Sequence, residues 1–165
     1  MVMFSDHLLN LARLTLDDAR QRRLKIATAE SCTGGLIAGL LTEIPGSSDV
    51  VERGFIVYTN KAKQEMLGVP GDLIADVGEV SEPVARLMAE GALEESRANL
   101  AVAVTGIAGP GGGTARKPVG LVHIAVAREN RPIMHQALRL GDIGRSQVRT
   151  QTIIEALNML RRMMM

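Results

Sequence analysis

The sequence predicts an α/β fold: a three-layer α/β/α sandwich with a mixed, mainly parallel β-sheet. Segments with helical spacing alternate with short apolar strand segments as far as Thr105, which is typical of parallel strands covered by helices. Two further strand segments joined by a short turn follow, and they predict an antiparallel pair that makes the sheet mixed. The length of 165 residues suits one domain, so we expect residues 1–165 to fold as a single unit.

The first segment predicts an amphipathic helix because its apolar residues recur at helical spacing. A short, mostly apolar strand is predicted over Leu24–Ala29. Ser31 is then predicted to cap a second helix that runs to about Glu43. The apolar residues of the first helix are Leu8, Leu11, Ala12, Leu16 and Ala19.

A turn at residues 45–48 leads to a second predicted strand over Val50–Thr59, which is rich in β-branched and aromatic residues. A short helix is predicted over Asn60–Leu67. A longer helix is predicted from Ser81 to about Arg97, with Pro83 accepted in its first turn.

The third strand is predicted over Leu100–Thr105 and is followed by a glycine-rich loop. The closing pair of strands is predicted over Val119–Ala127 and Pro132–Leu140. A last helix is predicted over Ile143–Arg162, with the methionines at 163–165 frayed.

Composition and charge exclude several classes of function. With 19 basic and 18 acidic side chains the net charge is +1, which disfavours a general nucleic-acid-binding surface. Aromatic residues make up only 2 % of the chain, which argues against stacking on single-stranded nucleic acid. The uncharged stretch at residues 98–115 is too rich in glycine for a membrane span. Charged residues near the N-terminus and a single cysteine lead us to expect a cytoplasmic protein.

Three polar clusters directly follow the first three predicted strands. They are residues 30–35, residues 59–63, and Thr105 and Gly106 with the glycine-rich segment behind them. Ligands of open α/β sheets bind beyond the carboxyl ends of the strands. The sequence therefore predicts that the three clusters meet at one edge of the sheet and form a binding site.

Within these clusters the residues allow a functional and a purely structural interpretation. Ser31, Thr33 and Gly34 suit an anion site at a helix N-terminus, or a plain helix cap. The loop at residues 105–114 has neither a Walker A lysine nor a dinucleotide fingerprint, so it is a phosphate cradle or a mobile surface loop. Lys63 is a solvated surface charge, or a buried amine that acts as general base for a serine.

Metal and cofactor chemistry is not expected. The three histidines, His7, His123 and His135, are scattered along the chain, and Cys32 has no cysteine partner. No metal ligand set follows from this spacing, and we expect no cofactor.

Six ordered motifs resemble the C-terminal domain family of CinA, the competence/damage-inducible protein. The resemblance covers roughly residues 8–160, and stand-alone members of this family are similar to nicotinamide-nucleotide amidohydrolases. The motifs lie at Ala29–Gly35, Pro45–Ser48, Gly54–Asn60 with Lys63, Val80–Pro83, Thr105–Gly111 and Lys117–Gly120.

The resemblance implies hydrolysis of nicotinamide mononucleotide (NMN) to nicotinic acid mononucleotide and ammonia in NAD salvage, without metal or cofactor. It implies that Ser48 is the nucleophile, Lys63 the general base and Tyr58 a hydroxyl that relays or positions protons. It also implies a homo-oligomer with NMN as its small-molecule partner. The substrate-binding residues would be Ser31, Thr33, Gly34, Thr105, Gly106 and Arg145.

Two alternatives remain open in the sequence. Ser48 precedes the second predicted strand and Lys63 follows it, so a straight strand would separate them by more than a hydrogen bond. A bend in the chain, a late start of the strand or a neighbouring subunit would resolve this, and from the residues alone Ser31 is the preferred nucleophile. The competing function is a non-catalytic module that binds a nucleotide, a phosphate group or a partner protein.

Overall fold

The computed structural model describes residues 2–165, which contain six α-helices and five strands. A short 3-10 turn at Ser47–Asp49 precedes the second strand. In chain order the elements are α1 (Asp6–Gln21), β1 (Ile26–Glu30), α2 (Leu36–Thr42), β2 (Val51–Ile56), α3 (Asn60–Leu67), α4 (Gly71–Val77), α5 (Glu82–Glu94), β3 (Leu100–Gly106), β4 (Leu121–Arg128), β5 (Met134–Arg139) and α6 (Arg145–Met164).

The five strands form one sheet in the order β2-β1-β3-β4-β5. β1 pairs in parallel with both β2 and β3, whereas β4 pairs antiparallel with both β3 and β5. Only β4 therefore runs against the other strands. The predicted mixed, mainly parallel sheet is confirmed, and the carboxyl ends of β1, β2 and β3 lie at the same edge.

Two apolar clusters cover the two faces of the sheet, as expected for three layers. Leu16 on α1, Leu40 on α2 and Leu157 on α6 pack with the large aliphatic residues on one face. The opposite face is lined mainly by alanine, and Met88 on α5 and Val69 before α4 pack against it. Because alanine projects little, α5 lies close to the strands, and the α/β/α sandwich is confirmed. The strand alanines of this face are Ala27, Ala29, Ala101, Ala103, Ala125 and Ala127.

Several predicted boundaries differ from the structure. The second helix begins at Leu36 rather than after Ser31, because Gly34 and Gly35 adopt φ of +59° and +102° and turn the chain first. The α4 helix was not expected. Two of the three terminal methionines are not frayed, since Met163 and Met164 are 5 % and 2 % exposed and belong to the core, whereas Met165 lies beyond the helix and is exposed.

Along the described chain, no helix combines the length and the apolar character that crossing a bilayer requires.

Candidate functional site

The edge formed by the carboxyl ends of β1, β2 and β3 carries a cavity of about 430 Å³. All three polar clusters that follow these strands contribute to its lining. The expectation that they meet at one edge therefore holds in the structure. Its polar and charged lining includes Ser31, Tyr58, Asn60, Lys63, Glu79, Thr105 and Arg145.

The Ser31 hydroxyl and the Lys63 amine are in direct contact. Lys63 Nζ donates a hydrogen bond to Ser31 Oγ at 3.1 Å and another to the backbone carbonyl of Tyr58 at 3.2 Å. The Lys63 side chain is only 1 % exposed, and it forms no ion pair with the described residues. Burial lowers the pKa of Lys63, although the charge of Glu79 opposes the shift. A buried amine of this kind loses its proton more readily than an ordinary lysine.

The start of α3 places Lys63 against the end of β1. Thr59 caps this helix, since its hydroxyl accepts a hydrogen bond from the backbone N–H of Ala62 at 3.1 Å. Lys63 lies one turn further along and directs its amine inward, toward the residue that follows β1. The six residues between the end of β2 at Ile56 and Lys63 are thus enough to bring the amine to Ser31.

The Ser31 turn, which we define as residues 31–35, leaves β1 at the end of the strand. Ser31 N–H donates to the carbonyl of Val104 on β3 at 3.1 Å, and Gly34 N–H donates back to the carbonyl of Ser31 at 3.1 Å. Cys32 also lines the cavity, but burial raises the pKa of its thiol to about 12. Of these two side chains, the Ser31 hydroxyl is the one that is hydrogen-bonded to the Lys63 amine.

Ser48 lies far from this site within the chain, which corrects its expected pairing with Lys63. It is an exposed residue of the 3-10 turn before β2, whereas Lys63 follows the other end of that strand. The six residues of β2 span about 20 Å, because a strand rises about 3.3 Å per residue. The chain does not bend back at Gly54, which lies within β2 and pairs with Thr28.

The Tyr58 hydroxyl does not contact the Ser31–Lys63 pair. It accepts a hydrogen bond from Arg145 Nη2 at 3.1 Å, and Arg145 Nη1 donates to the carbonyl of Gly109 at 2.9 Å. Tyr58 contacts Lys63 and Ser31 only through its backbone carbonyl. Arg145 therefore links Tyr58 to the glycine-rich loop across the mouth of the cavity.

The remaining expected binding residues divide into two groups. Thr105 and Gly106 line the cavity, and the Thr105 hydroxyl donates to the carbonyl of Glu79 at 2.9 Å. Thr33 and Gly34 do not line it. The Thr33 hydroxyl is buried and donates to the Glu30 carboxylate at 2.6 Å.

Two features of the cavity were not predicted from the sequence. Glu79 and Val80 line it from the loop between α4 and α5, because the unexpected α4 helix carries the chain back to this edge. Glu30 was assigned to the polar cluster, but its side chain is fully buried, and its carboxylate accepts hydrogen bonds from Thr33 and from the first turn of α2 instead of lining the cavity. The one feature of the sequence that could have indicated this burial is the position of Glu30 at the end of an apolar strand. Among residues 2–165 no group of three or more metal-ligating side chains is present.

The chain matches a described protein family over most of its length: residues 9–164 match the family model of the CinA C-terminal domain. A CinA-like protein of Anaeromyxobacter sp. (strain K) is 48 % identical over 151 residues, which is 92 % of this chain and 36 % of that protein. A CinA-like protein of Mycobacterium sp. (strain JLS) is 54 % identical over 138 residues, which is 83 % of this chain and 32 % of that protein. The chain thus spans about a third of the length of these curated relatives.

Solved structures share the fold over the whole domain. The competence/damage inducible protein CihA from Agrobacterium tumefaciens is 56 % identical, with a TM-score of 0.94 and 97 % of each chain covered. A competence-damaged protein (CinA) superfamily protein from Escherichia coli is 28 % identical, with a TM-score of 0.88, covering 99 % of this chain and 94 % of that one.

Proposed function

Because this chain belongs to the CinA C-terminal domain family, we propose that it is an amidohydrolase that acts on the carboxamide of NMN. The products would be nicotinic acid mononucleotide and ammonia. The observation that carries the proposal is the 3.1 Å contact between Ser31 Oγ and the buried Lys63 amine at the floor of the cavity. A serine beside a desolvated lysine is a nucleophile–base pair that works without a metal ion.

In the proposed reaction Ser31 takes the role that the family resemblance gave to Ser48. Neutral Lys63 accepts the proton of the Ser31 hydroxyl while Ser31 Oγ attacks the carboxamide carbon. The tetrahedral intermediate collapses, the carbon–nitrogen bond breaks, and the Lys63 ammonium returns the proton to the leaving nitrogen, so that ammonia departs. Water then attacks the acyl-enzyme, again with Lys63 as base, and frees Ser31 and the carboxylate product.

The mouth of the cavity suits the nucleotide part of the substrate. Arg145 is exposed and donates to neutral acceptors, Gly109 O and the Tyr58 hydroxyl, rather than to a carboxylate. A phosphate group is a stronger acceptor than either of these oxygens, so it would compete for the guanidinium. We assign Arg145 and the glycine-rich loop to the 5′-phosphate, and Tyr58 to positioning the guanidinium rather than to proton transfer.

The experiment that tests this proposal compares two serines in the same purified protein. Ammonia release from NMN is measured for the wild type, Ser31→Ala and Ser48→Ala, and NMN binding is measured by calorimetry. We expect Ser31→Ala to bind NMN but to lose turnover, whereas Ser48→Ala, a matched substitution at an exposed turn, turns over like the wild type.

Two results would refute the proposal in different ways. A wild-type protein that binds NMN saturably and releases no ammonia is a nucleotide-binding module rather than an enzyme. Full activity in Ser31→Ala together with loss in Ser48→Ala would return the nucleophile to Ser48.

A further inference from the structure

Arg149 on α6 forms hydrogen bonds with the backbone of the Ser31 turn. Its Nε donates to the carbonyl of Cys32 at 3.1 Å, and its Nη2 donates to the carbonyl of Thr33 at 3.3 Å. No carboxylate of the residues described lies within ion-pair distance of this guanidinium. Arg149 is half-buried, and both of these hydrogen bonds go to consecutive backbone carbonyls. Burying part of a cation without a counter-ion costs free energy, which points to a role for Arg149 in the conformation of the turn.

The two carbonyls determine where the N–H groups of the turn point. In a trans peptide the C=O and the N–H point in opposite directions, so holding the Cys32 carbonyl aims the Thr33 N–H away from Arg149. The Gly34 N–H, paired in the same way with the Thr33 carbonyl, already donates to the Ser31 carbonyl. The N–H groups of Cys32 and Thr33 have no acceptor in the described part of the chain.

The buried Glu30 carboxylate holds the turn from the other side. It accepts hydrogen bonds from the Thr33 hydroxyl at 2.6 Å and from the backbone N–H groups of Ile37 and Ala38 at 2.8 and 3.0 Å. Thr33 is therefore fixed twice, by its side chain to Glu30 and by its carbonyl to Arg149. The turn between these two charges carries the nucleophile.

We propose that Arg149 is a positioning residue that fixes the peptide following Cys32, so that the N–H of Cys32, which lines the cavity, stays directed at the negative oxygen formed when Ser31 attacks a carbonyl carbon. Resting on the proposed function, this assignment adds a residue outside the cavity to the Ser31 site. Preorganised N–H donors act mainly on the charge that develops in the transition state.

The test uses the full chain and two reactions at Ser31. The first is ammonia release from NMN. The second is labelling by a fluorophosphonate ester: Ser31 Oγ forms a bond to phosphorus, the phosphorus–fluorine bond breaks, fluoride leaves and Lys63 takes the proton. Intact-mass spectrometry measures the labelling rate, and it does not depend on the identity of the natural substrate.

In Arg149→Met we expect labelling and kcat to fall together by about 10- to 100-fold, while KM changes by less than about twofold. Arg149→Lys should lie between Arg149→Met and the wild type, because one ammonium cannot hold both carbonyls in the guanidinium geometry. The control is Arg13→Met, which removes an exposed arginine of α1 and should react like the wild type. If Arg149→Met fails to fold, the intermediate rates of Arg149→Lys carry the test.

A merely structural arginine would lower the thermal midpoint without this split between kcat and KM. Labelling of a folded Arg149→Met or Arg149→Lys protein at the wild-type rate would overturn the proposal. If Ser31 of the wild type is labelled at a rate that depends on Arg149, but the protein releases no ammonia from NMN, the proposed substrate is wrong and the positioning role of Arg149 stands. If the wild type does not label at Ser31, both proposals fail.

Discussion

His123 Nδ1 lies 2.9 Å from His135 Nε2, so the two imidazoles share one hydrogen bond between the neighbouring strands β4 and β5. Glu82 at the start of α5 lies 3.5 Å from His135 Nδ1. One ring must donate and the other accept, which requires at least one neutral imidazole. Burial lowers the pKa of both histidines, and Glu82 opposes that shift. The positive charge of Arg86 also lowers the pKa of His135, and the charges of Lys117 and Arg139 also lower the pKa of His123.

We predict that this pair makes the protein sensitive to mild acid. The unfolded chain takes up protons on these histidines below their ordinary pKa of about 6.5, whereas the folded chain takes them up only at lower pH. The free energy of unfolding should therefore fall as the pH falls from about 7.5 to about 5.5. Denaturant melts at the two pH values should show a smaller loss in His135→Gln. The matched control is His7→Gln, at an exposed position, and a loss equal to that of the wild type in His135→Gln would contradict this interpretation.

We predict that kcat/KM for ammonia release rises with pH and levels off above the pKa of Lys63, because only the neutral amine accepts the Ser31 proton. Burial lowers this pKa from its ordinary value of 10.5, and the charge of Glu79 raises it. Glu79→Gln should therefore move the rise to lower pH. Glu65→Gln removes the same charge from an exposed position on α3 and should leave the profile in place. A profile that moves to higher pH in Glu79→Gln would exclude Lys63 as the base.

We predict that alanine substitutions at two helical glycines change the free energy of unfolding in opposite directions. A Cβ at Gly91 of α5 would overlap the carbonyl oxygen of Leu67 at the end of α3, so Gly91→Ala should lower the free energy of unfolding by about 1–3 kcal/mol. At Gly39 of α2 the nearest heavy atom is 4.0 Å away, on Phe4. Gly39→Ala should therefore raise the free energy of unfolding by about 0.5–1 kcal/mol through helix propensity alone. Urea melts measure both changes, and a stabilised Gly91→Ala would contradict the close approach of the two helices.

The sheet and its binding edge are predictable from the sequence because their signals are local. Each of the first three strands is a short apolar segment that ends in polar residues, and α/β topology brings such ends together. The α4 helix was missed because Gly71–Val77 is short and is bounded by Pro70 and Gly78, so its helical spacing does not stand out. Glu79 was missed with it, since the loop that presents Glu79 depends on that helix.

The proposed nucleophile, Ser31, could not be identified from local sequence alone. Ser31 looks like a helix cap, but the cap of α2 comes from the Glu30 carboxylate and Ser31 is left to bond with Lys63. Capping by Glu30 instead of Ser31 depends on contacts between residues 30, 37 and 63, and no short segment of sequence contains all three. Ser48 was expected from a motif rather than from a distance, and the length of β2 separates it from Lys63 within the chain.

The Glu30 carboxylate also ties the opening turn of α2 to the interior of the sheet. No side chain of the turn itself caps this helix, and the N–H groups of Ile37 and Ala38 end on a fully buried acceptor at the tip of β1. In deuterium exchange these two amides would not fray with the helix end, as first-turn amides ordinarily do. They would exchange only when α2 separates from β1, so the protection of this turn reports the separation of the helix from the sheet.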